Sequence, residues 1–159
     1  MHASSSPSAA PELGPTAESE ITWLLHRAAQ RLRAVTGEQA ERHGLQLRDY
    51  IVLSALHKTP NLTQAELGKA LGLDKTTLMS QLDRLERTGL VVRQSDPRDR
   101  RLRIPTITAS GESLRADVAA ACARAEAAAL RDYDAAQVQE LRHMLFAIIG
   151  DSEDRGSCL

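Results

Sequence analysis

The stretch between Thr63 and Thr108 leaves few ways to fold. Thr63-Gln-Ala-Glu66 has the form of a capping box, in which the Thr hydroxyl accepts the third backbone N–H and the Glu side chain returns to the Thr N–H. Leu67 and Leu71 then face inward on a short helix, and Gly72 ends it. Almost at once Asp74 offers a cap for another helix to about Thr88, with Leu78, Leu82 and Leu85 as its buried stripe and Gly89 past its end. Leu90-Val-Val-Arg93 reads as a strand, Ser95-Asp-Pro-Arg-Asp-Arg100 as a polar turn, and residues 102–108 as the returning strand. Two short helices joined by a tight turn and followed by a hairpin form a winged helix-turn-helix.

Helices flank this module on both sides. Ile21, Leu24, Leu25, Ala28, Leu32 and Val35 recur on one helical face, predicting a helix over residues 18–42 that Gly44 ends. A second helix over residues 48–58 carries Ile51, Val52, Leu53, Ala55 and Leu56 and stops before Pro60. Thr108 caps a fifth helix with Leu114, Val118, Ala121, Cys122 and Ala125 inward. Asp134 and Gln137 open a sixth, striped by Val138, Leu141, Leu145, Ile148 and Ile149. Aromatic residues are scarce, at 3%, so the core is built from Ala and Leu at close helix–helix range.

The fold class is therefore mainly α with a small β wing: a winged helix-turn-helix lobe at 45–108, an N-terminal helix at 18–44 and further helices at 109–150. The Ser- and Pro-rich residues 1–17 read as a disordered tail and the polar residues 151–159 as a flexible one. The outer helices are surplus to the module, and their apolar faces call for a second subunit.

Charge is distributed unevenly. Residues 74–103 hold eight Lys or Arg and five Asp or Glu, a surplus of three positive charges in a chain whose net charge is −1. Such a local basic stripe suits a confined polyanion site. An enzyme is disfavoured, because no nucleophile elbow, phosphate loop, Cys-x-x-Cys or His-Glu-x-x-His occurs. The five histidines are scattered, and with only Cys122 and Cys158 as thiols neither a metal site nor a disulfide framework is expected. Cys122 falls on an apolar stripe and reads as a buried thiol, no cofactor is called for, and no segment resembles a signal or membrane span. The expected setting is the cytoplasm. A winged-helix module that binds protein instead of DNA is the competing reading, disfavoured by the basic wing.

Residues 45–111 resemble the MarR family of bacterial transcription regulators. Leu45-Gln-Leu-Arg-Asp-Tyr-Ile-Val-Leu53 is similar to the family's second helix, Gln64-Ala-Glu-Leu-Gly-Lys-Ala-Leu71 to its third, and Leu73-Asp-Lys-Thr-Thr-Leu78 with Leu82-Asp-Arg-Leu-Glu86 to its recognition helix. Gly89-Leu-Val-Val-Arg93, Asp96-Pro-Arg-Asp-Arg-Arg101 and Ile107-Thr-Ala-Ser-Gly111 complete the pattern. The resemblance implies a homodimer on a roughly palindromic double-stranded DNA operator, usually a repressor released by a small-molecule effector or an oxidant. Two positions depart from the pattern: Ser80 stands where Arg is common, and Pro105 where an aliphatic residue is usual. The latter suggests an edge strand whose missing N–H faces solvent.

On that resemblance Lys75, Thr76, Thr77, Met79, Ser80 and Arg84 are candidates for the major groove. The hydroxyls let the helix lie deep, and Arg84 is the strongest single contact, to guanine or phosphate. Arg93, Arg98, Asp99, Arg100, Arg101 and Arg103 form the wing set. Arg101 matches the family's wing arginine and is the candidate for the minor groove, where negative potential is concentrated, while Asp99 holds a guanidinium in position. Trp23, His26, Arg27, Tyr50 and His57 could contribute to an effector pocket between the lobe and the outer helices, although each is equally well accounted for as structural.

Overall fold

The structure, a computed structural model, describes residues 14–97 and 99–150. Six helices and one hairpin follow in the expected order: α1 (Ile21–Arg42), α2 (Leu47–Lys58), α3 (Gln64–Leu71), α4 (Lys75–Arg87), β1 (Val91–Ser95), β2 (Arg103–Ile107), α5 (Ala109–Ala129) and α6 (Ala135–Gly150). The fold is mainly α with a two-stranded antiparallel wing. Most of residues 1–17 and all of 151–159, the two expected tails, lie outside the described residues, as does Arg98.

Local chemistry sets the boundaries. Thr63 Oγ1 accepts the Glu66 N–H at 3.3 Å and Glu66 Oε2 accepts the Thr63 N–H at 2.8 Å, so the capping box is formed as the sequence predicts. These two bonds to Thr63 hold the Glu66 carboxyl below its usual range. Gly72 closes α3 at φ 63°, a conformation that costs a residue with Cβ about 1 kcal/mol. Asp74 caps α4 through the Thr77 N–H at 2.9 Å.

The core is a layer of side chains shared by α2, α3, α4, β1 and α5. Val52, Leu53, Leu67, Leu82, Leu85, Val91 and Val118 are fully buried. Burying each such side chain contributes about 1.5–3 kcal/mol, and truncating one to Ala leaves a cavity as well. α1 packs on α5, with Ala40 and Thr36 buried and the Cys122 thiol 3.6 Å from the Thr36 carbonyl oxygen. Burial pushes the Cys122 thiol up from its ordinary value, which disfavours thiolate.

The wing is joined closely to α5. Thr108 Oγ1 donates to the Gly89 carbonyl at 2.7 Å and accepts the Gly111 N–H at 3.0 Å. A Cβ on Gly111 would stand 2.1 Å from the Leu90 carbonyl oxygen, so only glycine lets the helix start against the base of the hairpin. Arg93 is paired with Pro105 in register. Bonds from the Thr108 N–H to Leu90 and from the Asp96 N–H to Leu102 bracket the ladder, and the antiparallel alternation makes Arg93 and Pro105 a non-bonded pair. The nitrogen of Pro105 therefore faces away from β1, as an edge position requires, while its ring is buried.

α6 differs from the rest: none of its residues is buried, and Leu141, Met144, Phe146 and Ile148 are exposed. The stripe expected for this helix has an apolar face, but not one that this chain covers. No helix among the described residues is long and apolar enough to cross a membrane.

Candidate nucleic-acid interface

α4 presents a graded surface. Lys75, Thr76 and Ser80 are exposed and Met79 half-buried, and with Asp83 and Arg87 they line a shallow concave strip along the helix. Thr77 is turned to its own cap, its hydroxyl donating to Asp74 Oδ2 at 2.6 Å. Hydrogen bonds from Thr77, side chain first and then backbone, hold the Asp74 carboxyl below its usual range. Because this carboxylate already occupies the helix N-terminus, attraction for phosphate there falls to lysines: Lys75 at the first turn and Lys69 on α3.

Lys69 and Lys75 meet two wing residues, Arg101 and Arg103, around a cavity of about 320 Å³ floored by Leu73 and Leu78. Two helices and the hairpin thus converge four cations on one side of the molecule. Arg101 is 90% exposed at the tip. Its Nε and Nη2 donate to Asp99 at 3.1 and 3.2 Å, and its backbone N–H donates to Asp99 Oδ1 at 3.0 Å. The Arg101 side chain, then its N–H, hold the Asp99 carboxyl low. Asp99 thus engages one edge of Arg101 and leaves the outer edge of the guanidinium open. Arg103 donates to Ser95 Oγ at 2.8 Å across the hairpin, and Arg100 is exposed.

Two of the candidate arginines are engaged in ion pairs within the chain. Arg84, the strongest single candidate for the major groove, keeps 34% of its side chain exposed. Its Nη2 lies 2.5 Å from Asp49 Oδ1 and its Nε 3.2 Å from Oδ2, a bidentate pair with a carboxylate that is almost fully buried on α2. Arg93, placed in the wing set, turns back onto α4, where it pairs with Glu86 and, at 2.7 Å, with Asp83. Its side chain is only 18% exposed. Hydrogen bonding to Glu86 raises the Arg93 pKa, and the same bond lowers that of Glu86. The physical reason is alike in both cases: a long side chain at the margin of the buried stripe reaches a carboxylate on a neighbouring element, which is cheaper than leaving that carboxylate unpaired.

Asp49 and Gln81 were missed by sequence reasoning. Asp49 gave one signal, its place three residues after Gln46 at the start of α2, where its Oδ2 accepts the Gln46 N–H at 3.3 Å. Gln81 sits between Leu78 and Leu82, and nothing in its spacing distinguished a buried amide from an exposed one.

The proposed effector residues are spread over two helices. Trp23, His26 and Arg27 are exposed on the first turns of α1, with Arg27 donating to Gln30 at 3.1 Å. Tyr50 packs against the core from α2. His57 Nδ1 lies 3.0 Å from Glu112 of α5, and Arg115 donates to the same carboxylate at 2.6 Å.

A sequence model of the MarR family matches residues 43–102, the span from the end of α1 to the tip of the wing. The chain is 36% identical to the transcriptional repressor NicR of Pseudomonas putida over 105 residues, 66% of each protein. Among solved structures, a MarR-family transcriptional regulator of Rhodococcus sp. RHA1 is 29% identical with a TM-score of 0.73, covering 80% of this chain and 91% of that one. CouR of Rhodococcus jostii, solved with p-coumaroyl-CoA, is 28% identical with a TM-score of 0.72, covering 84% and 94%.

Proposed function

The chain belongs to the MarR family and is a DNA-binding transcription regulator, and from that premise we propose that it acts as a homodimeric repressor, cytoplasmic and without catalytic activity. Each subunit lays α4 in a major groove and the wing tip beside an adjacent minor groove. The observation that carries this reading is the convergence of Lys69, Lys75, Arg101 and Arg103 beside the exposed Thr76 and Ser80. Cations set the register on phosphate, and small hydroxyls allow close approach to base edges. Arg101, held by Asp99, enters the minor groove; Arg100 and Arg103 contact its rim.

The dimer rests on the exposed apolar residues of α6 together with Ile21 and Trp23 at the start of α1. Monomeric soluble proteins rarely expose such a surface. Two copies related by a twofold axis read half-sites about one helical turn apart, roughly 34–36 Å. A small-molecule effector releases the operator; support comes from CouR, a similar protein crystallised with an acyl thioester.

Selection of bound fragments from random duplex DNA tests the reading. A pseudo-palindromic motif is expected, with affinity falling steeply as salt rises. Recovery of no enriched motif would reject DNA recognition in favour of a protein-binding winged helix.

A further inference from the structure

We infer that Asp49 is a positioning residue for DNA recognition: through its bidentate pair with Arg84 it sets the rotation and depth of α4, without touching DNA itself. This rests on the DNA-binding reading above. Leu78, Leu82 and Leu85 bind α4 to the core by apolar contact, which opposes separation but is non-directional. The fork of Arg84 on the two oxygens of Asp49, at 2.5 and 3.2 Å, is directional. Asp49 is itself buried, at 3% exposure, and bonded to the Gln46 N–H at the start of α2. The opposite flank of α4 is tied to β1 by Arg93 through Asp83 and Glu86. The helix is thus gripped from two sides by ion pairs, and the side chains it offers, Thr76 and Ser80, are short enough that a small rotation withdraws them from base edges.

Burial is asymmetric, since Arg84 keeps 34% of its side chain exposed while Asp49 keeps 4%. Replacing the carboxylate frees an arginine that can reach water or phosphate. Contact and positioning roles therefore predict opposite outcomes for Asp49→Asn.

The experiment measures affinity of the full chain for the operator it selects and for a scrambled duplex, over a range of salt, with melting temperature recorded alongside. Positioning predicts that Asp49→Asn loses about tenfold or more on the operator while affinity for the scrambled duplex does not fall. Arg84→Lys, which keeps the charge but not the fork, gives the same loss with an unchanged salt slope, and the double variant adds little. A merely structural role would lower melting temperature without changing the ratio of operator to scrambled affinity. Operator affinity preserved in Asp49→Asn overturns the inference and leaves the DNA reading intact. Should Asp49→Asn not fold, Arg84→Lys decides: full operator affinity overturns positioning, and loss at constant salt slope upholds it. If the wild-type chain selects no motif, the DNA reading fails first and the inference with it.

Discussion

The junctions of α4 with α2 and β1 and the tip of the wing carry the same chemistry, arginine against carboxylate, and put it to different ends. At these junctions Arg84 and Arg93 are drawn inward, onto Asp49, Asp83 and Glu86, and keep 34% and 18% of their side chains exposed. At the tip Arg101 is paired with Asp99 within the same turn, and the pair leaves it 90% exposed. Sequence distance separates the two outcomes. Asp49 and Arg84 are 35 residues apart and bridge helices, so their pairing fixes tertiary structure. Asp99 and Arg101 are two apart, so theirs orients only a side chain. On the proposed function the inward pairs serve stability and alignment, and the outward pair serves binding.

Breaking the frame of the junction gives the largest expected effect. Gly111→Ala forces a Cβ against the Leu90 carbonyl where α5 meets the hairpin. It should cost about 3 kcal/mol or more. Calorimetry should show Tm lower by roughly 10 °C; a Tm within 2 °C or so of wild type would mean the helix start is pliant. Next comes the tip: Arg101→Ala should weaken operator binding about tenfold or more and reduce the salt slope by about one, with Tm unchanged. Equal affinity at moderate salt would remove the wing from the interface. Glu86→Gln, at the junction, should cost about 0.5–1 kcal/mol in denaturant unfolding, small because the carboxylate is more than a third exposed. A cost no larger than that of a solvent-facing Glu on α1 would erase the contrast.

Acid gives the smallest effect. Glu86 and Asp99 both titrate below the ordinary carboxylate range in the folded chain. Their contribution to stability is complete above that range and disappears as pH falls below it, through the folded values. Stability should be flat in pH on their account near neutrality. Glu86→Gln should show a shallower loss on acidification than wild type, whereas parallel curves would show that Arg93 does not depend on its charge.

Much of the fold could be read from the sequence because its boundaries are written locally: Thr63 with Glu66, Gly72, Asp74, and Thr108 with Gly111 each act within a few residues. Helical periodicity also separated the leucines of α4 from Thr76 and Ser80. It does not reach the pairing of Arg84, since a wheel places Cα atoms and not the far end of a side chain several bonds long, and it has no bearing on Arg93, which lies on a strand. Their partners lie on other elements, and nothing in sequence spacing announces a carboxylate 35 residues away. Gln81 shows the reverse failure, a polar residue buried next to Leu82. For α6 the stripe was visible, but whether a stripe is covered by its own chain is a property of assembly.

The inward turn of Arg84 and Arg93 also bears on how such a protein diversifies. Residues that hold α4 in place are distinct from those at 75, 76, 79 and 80 that face outward, and the outward set has little part in the core. If α4 reads DNA as proposed, exchanges at Thr76 or Ser80 would alter operator preference while stability and helix alignment stay as they were. On the proposed interface a new DNA specificity would then need only one or two surface substitutions, Ser80→Arg among them.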